Sequence, residues 1–168
     1  MVMTFCSSDT ANSGSYRKER IYTLLSDSLS RRLLIIESAP GYGKRELTES
    51  FLHDQQIPCA WFPLNEIDNW GFFFWRHFLE ALSQIAPYLT DELDATDMPT
   101  SADSARSFLE QLYSSINLKR KTALVFDNYG VLDNKGIRAF IQRLIECRIE
   151  NLLIVIISDQ NYNPGASF

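Results

Sequence analysis

The sequence lacks the features that mark several protein classes. Sixteen Lys and Arg stand against twenty-one Asp and Glu, so the net charge is -5 and no basic block is available for binding nucleic acid directly. Cys6, Cys59 and Cys147 are too few and too scattered for a disulfide framework or a zinc site, which favours reduced thiols and a cytoplasmic location. No run approaches the ~20 apolar residues of a membrane span, and the N-terminus has no signal-peptide pattern.

The composition is that of one globular domain. The chain has 168 residues, of which 45% are hydrophobic and 22% are charged, and this excludes disordered and fibrous proteins. Ser, Thr, Asn and Gly dominate residues 7–15, so we predict a flexible leader over residues 1–16. The domain itself is predicted to occupy residues 17–168.

Apolar runs alternate with amphipathic stretches along this domain. Strands are predicted at 33–36, 59–64, 123–127 and 152–157. Helices are predicted at about 17–30, 43–53, 70–86, 100–117 and 134–148. Three of the four strands are continuously apolar, which is typical of parallel strands covered on both faces. The fold class is therefore α/β, with a three-layer α/β/α arrangement and a mostly parallel sheet. Pro63 favours an edge position for the second of these strands.

A glycine-rich turn lies between the first apolar strand and the next helix. Its residues are Ser38, Ala39, Pro40, Gly41, Tyr42, Gly43, Lys44 and Arg45. Glycines allow successive backbone N–H groups to surround phosphate oxygens, and the helix that follows adds the positive end of its dipole. The loop is thus a candidate phosphate-binding P-loop in which Lys44 reaches the β- and γ-phosphates. The alternative is a plain strand–helix turn, because Ser38 and Arg45 depart from the pattern G-x-x-x-x-G-K-[ST].

Asp127 ends the strand 123–127, where a Walker B acid would stand. If its strand lies close to the loop in the sheet, the carboxylate could bind Mg²⁺ and serve catalysis. The alternative is a carboxylate that caps the next turn.

Several sequence blocks, taken in order, resemble one known family. The chain reads SAPGYGKR after the first apolar strand, where that family typically shows Ser-Pro-Ala-Gly-Tyr-Gly-Lys-Thr. Similar blocks follow: AWFPLNEIDN at 60–69, FFFWRHFLEALS at 72–83 and LVFDNYGVLD at 124–133. From about Arg20 to Asp159 the chain resembles the N-terminal ATP-binding domain of LuxR-type transcriptional regulators of the MalT-like group. The resemblance implies a P-loop NTPase fold that binds ATP or ADP at residues 38–45, with Mg²⁺ bound weakly if at all.

Three departures from the family pattern weaken the expected hydrolysis. Arg45 replaces the hydroxyl residue that should bind Mg²⁺. Asn128 replaces the second acid, which would polarise the attacking water, and an amide cannot accept a proton in this way. Asp159 replaces the sensor arginine, so an anion stands where a cation would face the γ-phosphate. We therefore expect nucleotide binding with little or no turnover.

The family also implies further parts of the protein. A fifth strand, a helical domain, a superhelical repeat domain and a DNA-binding helix-turn-helix follow this domain in such regulators. We therefore expect the chain to be a fragment of a larger regulator that lacks its last strand, with later domains of that regulator as partners; the alternative is a degenerate stand-alone remnant. The strand 33–36 would then have an open edge.

The helix 70–86 carries two apolar stripes. Phe72, Trp75 and Leu79 form the second of these, and we expect it to be free for another partner. Together with the open edge, this stripe predicts self-association of the chain in isolation.

Three functions remain open on the sequence alone. The first is a nucleotide-binding regulatory domain that acts as a ligand-controlled switch. The second is a pseudo-ATPase, an interaction module that keeps the fold without the ligand. The third is a small P-loop kinase or ATPase, against which no second glycine- or arginine-rich lid is visible.

Overall fold

The computed structural model describes residues 2–4, 14–89 and 97–159. The helices within these ranges are α1 (Gly14–Ser28), α2 (Lys44–Asp54), α3 (Gly71–Ile85), α4 (Ala102–Ser115) and α5 (Lys135–Glu146). The strands are β1 (Val2–Thr4), β2 (Leu33–Glu37), β3 (Cys59–Pro63), β4 (Thr122–Asp127) and β5 (Leu152–Ser158). These bounds agree with the predicted elements from residue 17 to residue 158 to within a few residues.

The strands form one parallel sheet in the order β1-β2-β5-β4-β3. The chain therefore runs from β2 to the far edge at β3, returns through β4, and inserts β5 at the centre. All seven residues of β5 are buried, which explains its unbroken apolar sequence. Pro63 ends β3 at the edge of the sheet, as predicted, where its missing N–H costs no ladder hydrogen bond.

Two apolar cores lie on opposite faces of the sheet. Leu124 and Phe126 of β4 point into the core formed with α3, α4 and α5. Ala123 and Val125, their neighbours in the same strand, point into the core formed with α1 and α2. Because successive side chains of a strand alternate between faces, one apolar run supplies both cores. The predicted three-layer α/β/α arrangement is confirmed.

The edge beside β2 differs from the prediction. We expected this edge to be open, but β1 pairs with β2 in parallel, with Val2 opposite Ile35 and Thr4 opposite Glu37. The strand lies inside the segment 1–16 that we predicted to be a flexible leader, and α1 also begins within it, at Gly14. Three residues are too few to show a strand period, so the pairing could not be read from the sequence. Residues 5–13 of the predicted leader lie outside the described residues, as do residues 90–96 and 160–168 of the predicted domain.

The second aromatic stripe of α3 is not free. Trp75 is 3% exposed, and its ring lies 4.7 Å from that of Phe108 and 5.4 Å from that of Phe140. The prediction of a spare stripe centred on Trp75 is therefore wrong, because α4 and α5 cover this side of α3. Phe72 does remain 63% exposed at the start of the helix, and Trp70 just before it is 71% exposed.

We expect Trp75→Ala to destabilise the fold by about 3–5 kcal/mol, the usual cost of deleting a buried aromatic side chain. Tyr113→Ala is the control, because this aromatic residue of α4 is 55% exposed and its loss should change stability by no more than ~0.5 kcal/mol. Urea unfolding followed by circular dichroism measures both. Equal effects of the two substitutions would show that Trp75 is not part of the core.

Candidate nucleotide site

The carboxyl ends of three strands meet at one edge of the sheet. Glu37 of β2 is opposite Ser158 of β5, and Phe126 of β4 is opposite Ile156 of β5. The loop that leaves β2, the end of β4 and the first residue after β5 therefore come together although they are far apart in sequence. In open α/β sheets this edge is where ligands bind.

The loop 38–45 has the backbone of a phosphate-binding turn. Gly41 and Gly43 adopt positive φ angles of 82° and 65°, a region that residues with a Cβ seldom enter. Gly43 is also the N-cap of α2, and no side chain caps the first turn of this helix. The first N–H groups of α2 thus lack side-chain acceptors and are available to an anion.

Lys44 is held inside the loop. Its Nζ donates to the carbonyl oxygens of Ser38 at 2.9 Å and Ala39 at 3.0 Å, and it forms an ion pair with the Asp159 carboxylate. The Lys44 side chain is 8% exposed and that of Asp159 is 42% exposed. The lysine that should meet phosphate therefore already has an anionic partner from the end of β5.

Arg45 leaves the loop in the direction of β4. One guanidinium nitrogen, Nη1, lies 3.4 Å from Asp127 Oδ2, and the guanidinium stacks 5.3 Å from the centre of the Trp61 ring. Glu49, one helical turn further on, lies 3.8 Å from Arg45 Nε. The sequence did not predict the contact with Trp61, because only the register of β3 brings this ring over α2.

Burial raises the pKa of Asp127 above its ordinary value of 3.8, and the positive charge of Arg45 opposes this effect. The Asp127 side chain is only 14% exposed. Loss of hydration penalises the carboxylate more than the protonated acid. The ion pair with Arg45 therefore compensates only part of the cost of burying this charge.

Asn128 stands next to Asp127 in a left-handed conformation, with a φ angle of 61°. Asparagine tolerates this region better than most residues. Its side-chain amide donates to the carbonyl oxygen of Leu64 at 3.2 Å and so ties the end of β4 to the end of β3. An aspartate here would lose that donor, so the amide has a structural use in this chain.

A cavity of about 520 Å³ lies between these groups. Charged residues along its wall are Lys44, Arg45, Glu46, Asp127 and Asp159. Two cations thus face three carboxylates. The cavity brings together the loop and Asp127, as the sequence analysis expected, although β5 separates their strands.

The residues fit the phosphates of a nucleotide but not a magnesium ion of the usual kind. Position 45 has a guanidinium in place of a hydroxyl, and this cation already pairs with Asp127. The nearest hydroxyl of α2, that of Thr48, donates to the carbonyl oxygen of Lys44 at 2.7 Å within the helix. No group of three or more candidate metal ligands occurs among the described residues.

A second polar cluster follows β3 at the same edge. Asp68 is fully buried and accepts hydrogen bonds from the Asn65 backbone N–H at 2.8 Å and from His77 Nδ1 at 2.7 Å. The carboxylate thereby joins the turn 65–69 to α3. Its contacts make this cluster a structural support for the segment after β3.

Comparison with known proteins agrees with this architecture. The HTH-type transcriptional regulator MalT of Vibrio campbellii is 23% identical over 142 residues, which is 84% of this chain and 16% of that protein. MalT of Klebsiella pneumoniae subsp. pneumoniae is 27% identical over the same shares. The chain is similar to the MalT regulators. The resemblance inferred from the sequence blocks is thus confirmed, and the chain spans about one sixth of the length of these curated relatives.

A solved structure supports the fold. A chain in the structure of Drosophila ORC bound to AT-rich DNA and Cdc6 superposes with a TM-score of 0.56 at 17% identity, covering 86% of this chain and 47% of that one. The superposition supports the three-layer α/β/α fold with its parallel sheet. No protein-family model matches the chain. In the described ranges, no helix has both the length and the apolar character needed to span a bilayer.

The raised pKa of Asp127 gives a pH-dependent prediction. Because the pKa of Asp127 is higher in the folded chain than in the unfolded chain, protonation of this carboxyl stabilises the fold. This contribution is fully present below pH 3.8, the ordinary pKa, and is lost as the pH rises through the raised pKa of the folded chain. Asp127→Asn stays neutral throughout. We therefore expect its free energy of unfolding, relative to the parent chain, to improve as the pH rises from about 4 to 7.

Urea unfolding at several pH values measures this difference. Asp133→Asn, which changes an exposed carboxylate near the same edge of the sheet, controls for net charge. A relative stability of Asp127→Asn that is constant or falls with rising pH would contradict the prediction.

Proposed function

We propose that this chain is a nucleotide-binding regulatory domain of a cytoplasmic LuxR-type transcriptional regulator, which binds ATP or ADP at residues 38–45 and hydrolyses it poorly or not at all. The observation that carries the proposal is the loop itself. Gly41 and Gly43 adopt left-handed backbone conformations in this loop. Lys44 and the uncapped start of α2 thereby lie at the carboxyl edge of a parallel sheet, beside a cavity of about 520 Å³. Similarity to MalT regulators supports the regulatory role.

The role of the ligand in this proposal is that of a switch. A terminal phosphate on Lys44 would take this lysine away from Asp159, whereas a ligand without that phosphate would leave the pair in place. Lys44 would thus have two alternative anionic partners, Asp159 of this chain and the terminal phosphate of the nucleotide.

The remainder of the regulator is the proposed partner of this domain. The curated relatives extend far beyond the matched segment, which is 16% of their length. Trp70, Phe72 and Phe73 leave an exposed aromatic surface at the start of α3, and the rings of Phe72 and Phe73 lie 5.4 Å apart. We propose that this surface packs on another domain of the same polypeptide, and that it supports self-association when the chain is alone.

A second candidate function is an interaction module that binds no nucleotide. The ion pairs in the site favour this candidate, since Asp159 forms an ion pair with Lys44 and Asp127 forms one with Arg45. A loop whose cations are already paired can be stable without any ligand. The two candidates differ in one measurable property, the affinity for nucleotide.

We expect titration calorimetry to detect ATP or ADP binding to this chain, and Lys44→Met to weaken it by about tenfold or more, because the substitution removes a positive charge of the loop and leaves the Asp159 carboxylate unpaired beside the phosphates. Binding should survive EDTA, since position 45 offers no hydroxyl to a metal. Lys119→Met, at an exposed lysine before β4, is the matched control. A folded chain that gives no heat with either nucleotide would favour the interaction module.

We expect phosphate release from ATP to remain near background. Losing one well-placed electrostatic group commonly costs ~10²–10³ in rate, and such losses need not add. A coupled phosphate-release assay measures this, with Lys44→Met as the baseline. Turnover of about 1 s⁻¹ or faster, in the range of slow enzymes, would show that positions 45, 128 and 159 do not limit catalysis.

A further inference from the structure

The ammonium group of Lys44 has no donor left for a ligand. A lysine ammonium carries three donors. The carbonyl oxygens of Ser38 and Ala39 take two of them, and the Asp159 carboxylate takes the third. The first two partners belong to the loop itself. Asp159 is the only anionic partner among the three, and it follows a different strand, β5.

The fold, and not a chance side-chain rotamer, brings Asp159 to this place. Ser158 is opposite Glu37 in the parallel register of β5 and β2. The chains that leave these two strands therefore start side by side, and Asp159 is the first residue beyond β5. The Asp159 carboxylate forms an ion pair with Lys44, whose side chain is 8% exposed. Helix α2 and the loop set the position of this lysine.

A triphosphate and a diphosphate differ in whether they must displace Asp159 from Lys44. The lysine of a P-loop reaches the β- and γ-phosphates. A terminal phosphate placed on Lys44 must displace Asp159 or share the lysine with it, and it meets Asp127 and Glu46 on the same cavity wall. A shorter ligand can use the backbone N–H groups at the uncapped start of α2 and leave the ion pair in place.

We propose that Asp159 occupies the anion position on Lys44 that the terminal phosphate of a nucleoside triphosphate would take, so that this site selects nucleoside diphosphates over triphosphates. This inference rests on the proposed function and names the ligand class of the same site. Asp159 thus acts as a specificity residue that excludes the longer ligand by charge.

The test is titration calorimetry of ADP and ATP, in EDTA, on the parent chain and on Asp159→Asn. ADP should bind the parent chain about tenfold or more tightly than ATP, because placing like charges together disfavours the longer ligand. Asp159→Asn should raise the affinity for ATP by about tenfold or more and raise that for ADP less. Asp133→Asn, which removes one negative charge at an exposed position away from the cavity, should change neither affinity. Circular dichroism establishes that each variant is folded.

The possible outcomes separate this inference from the proposed function. Binding by Asp159→Asn with a larger gain for ATP than for ADP supports the inference, including the case where ATP binding is detected only in the variant. Equal gains for both nucleotides would reduce Asp159 to a general charge effect and overturn it. ATP binding to the parent chain as tight as ADP binding would also overturn it, while leaving the proposed function intact. No binding of either nucleotide to either protein overturns both.

Discussion

The parallel pairing of β5 with β2 on one side and β4 on the other is the constraint on which the site depends. This pairing sets the ends of the three strands at one edge, so Lys44, Asp127 and Asp159 meet although more than a hundred residues separate the first from the last. A slip of one residue would turn Asp127 to the other face of the sheet. Both faces of β5 are buried, so a slip of this strand would move each of its side chains into the opposite core, among different neighbours.

A second feature of this site is that its cations are paired with carboxylates. Each cation of the loop has a carboxylate partner at the end of a neighbouring strand, Asp159 for Lys44 and Asp127 for Arg45. Lys44 is buried, and burying an unpaired cation would be costly, so its pair with Asp159 stabilises the loop without a ligand. In the proposed nucleotide site, a phosphate that binds Lys44 would therefore replace one anion by another. Selectivity then depends on how well an incoming phosphate competes with a carboxylate that the fold already supplies.

Much of the fold could be predicted because its signals are local. The apolar runs of β2, β4 and β5 and the helical periods of α3, α4 and α5 need no knowledge of their neighbours. The strand β1 could not be predicted, because three residues have no period and are stabilised by pairing with β2. Trp75 was misassigned for a similar reason: a stripe on α3 does not show whether α4 and α5 cover it.

The sequence by itself determined the α/β class, the glycine-rich loop at 38–45 and the substitutions at positions 45, 128 and 159, since each depends on residue type and on near neighbours. Tertiary structure alone decided which charges meet. Whether Asp159 faces Lys44, and whether Asp127 takes the guanidinium of Arg45, depends on strand order and register. The physical reason is that electrostatic interaction depends on distance in space, and distance along the chain does not report it.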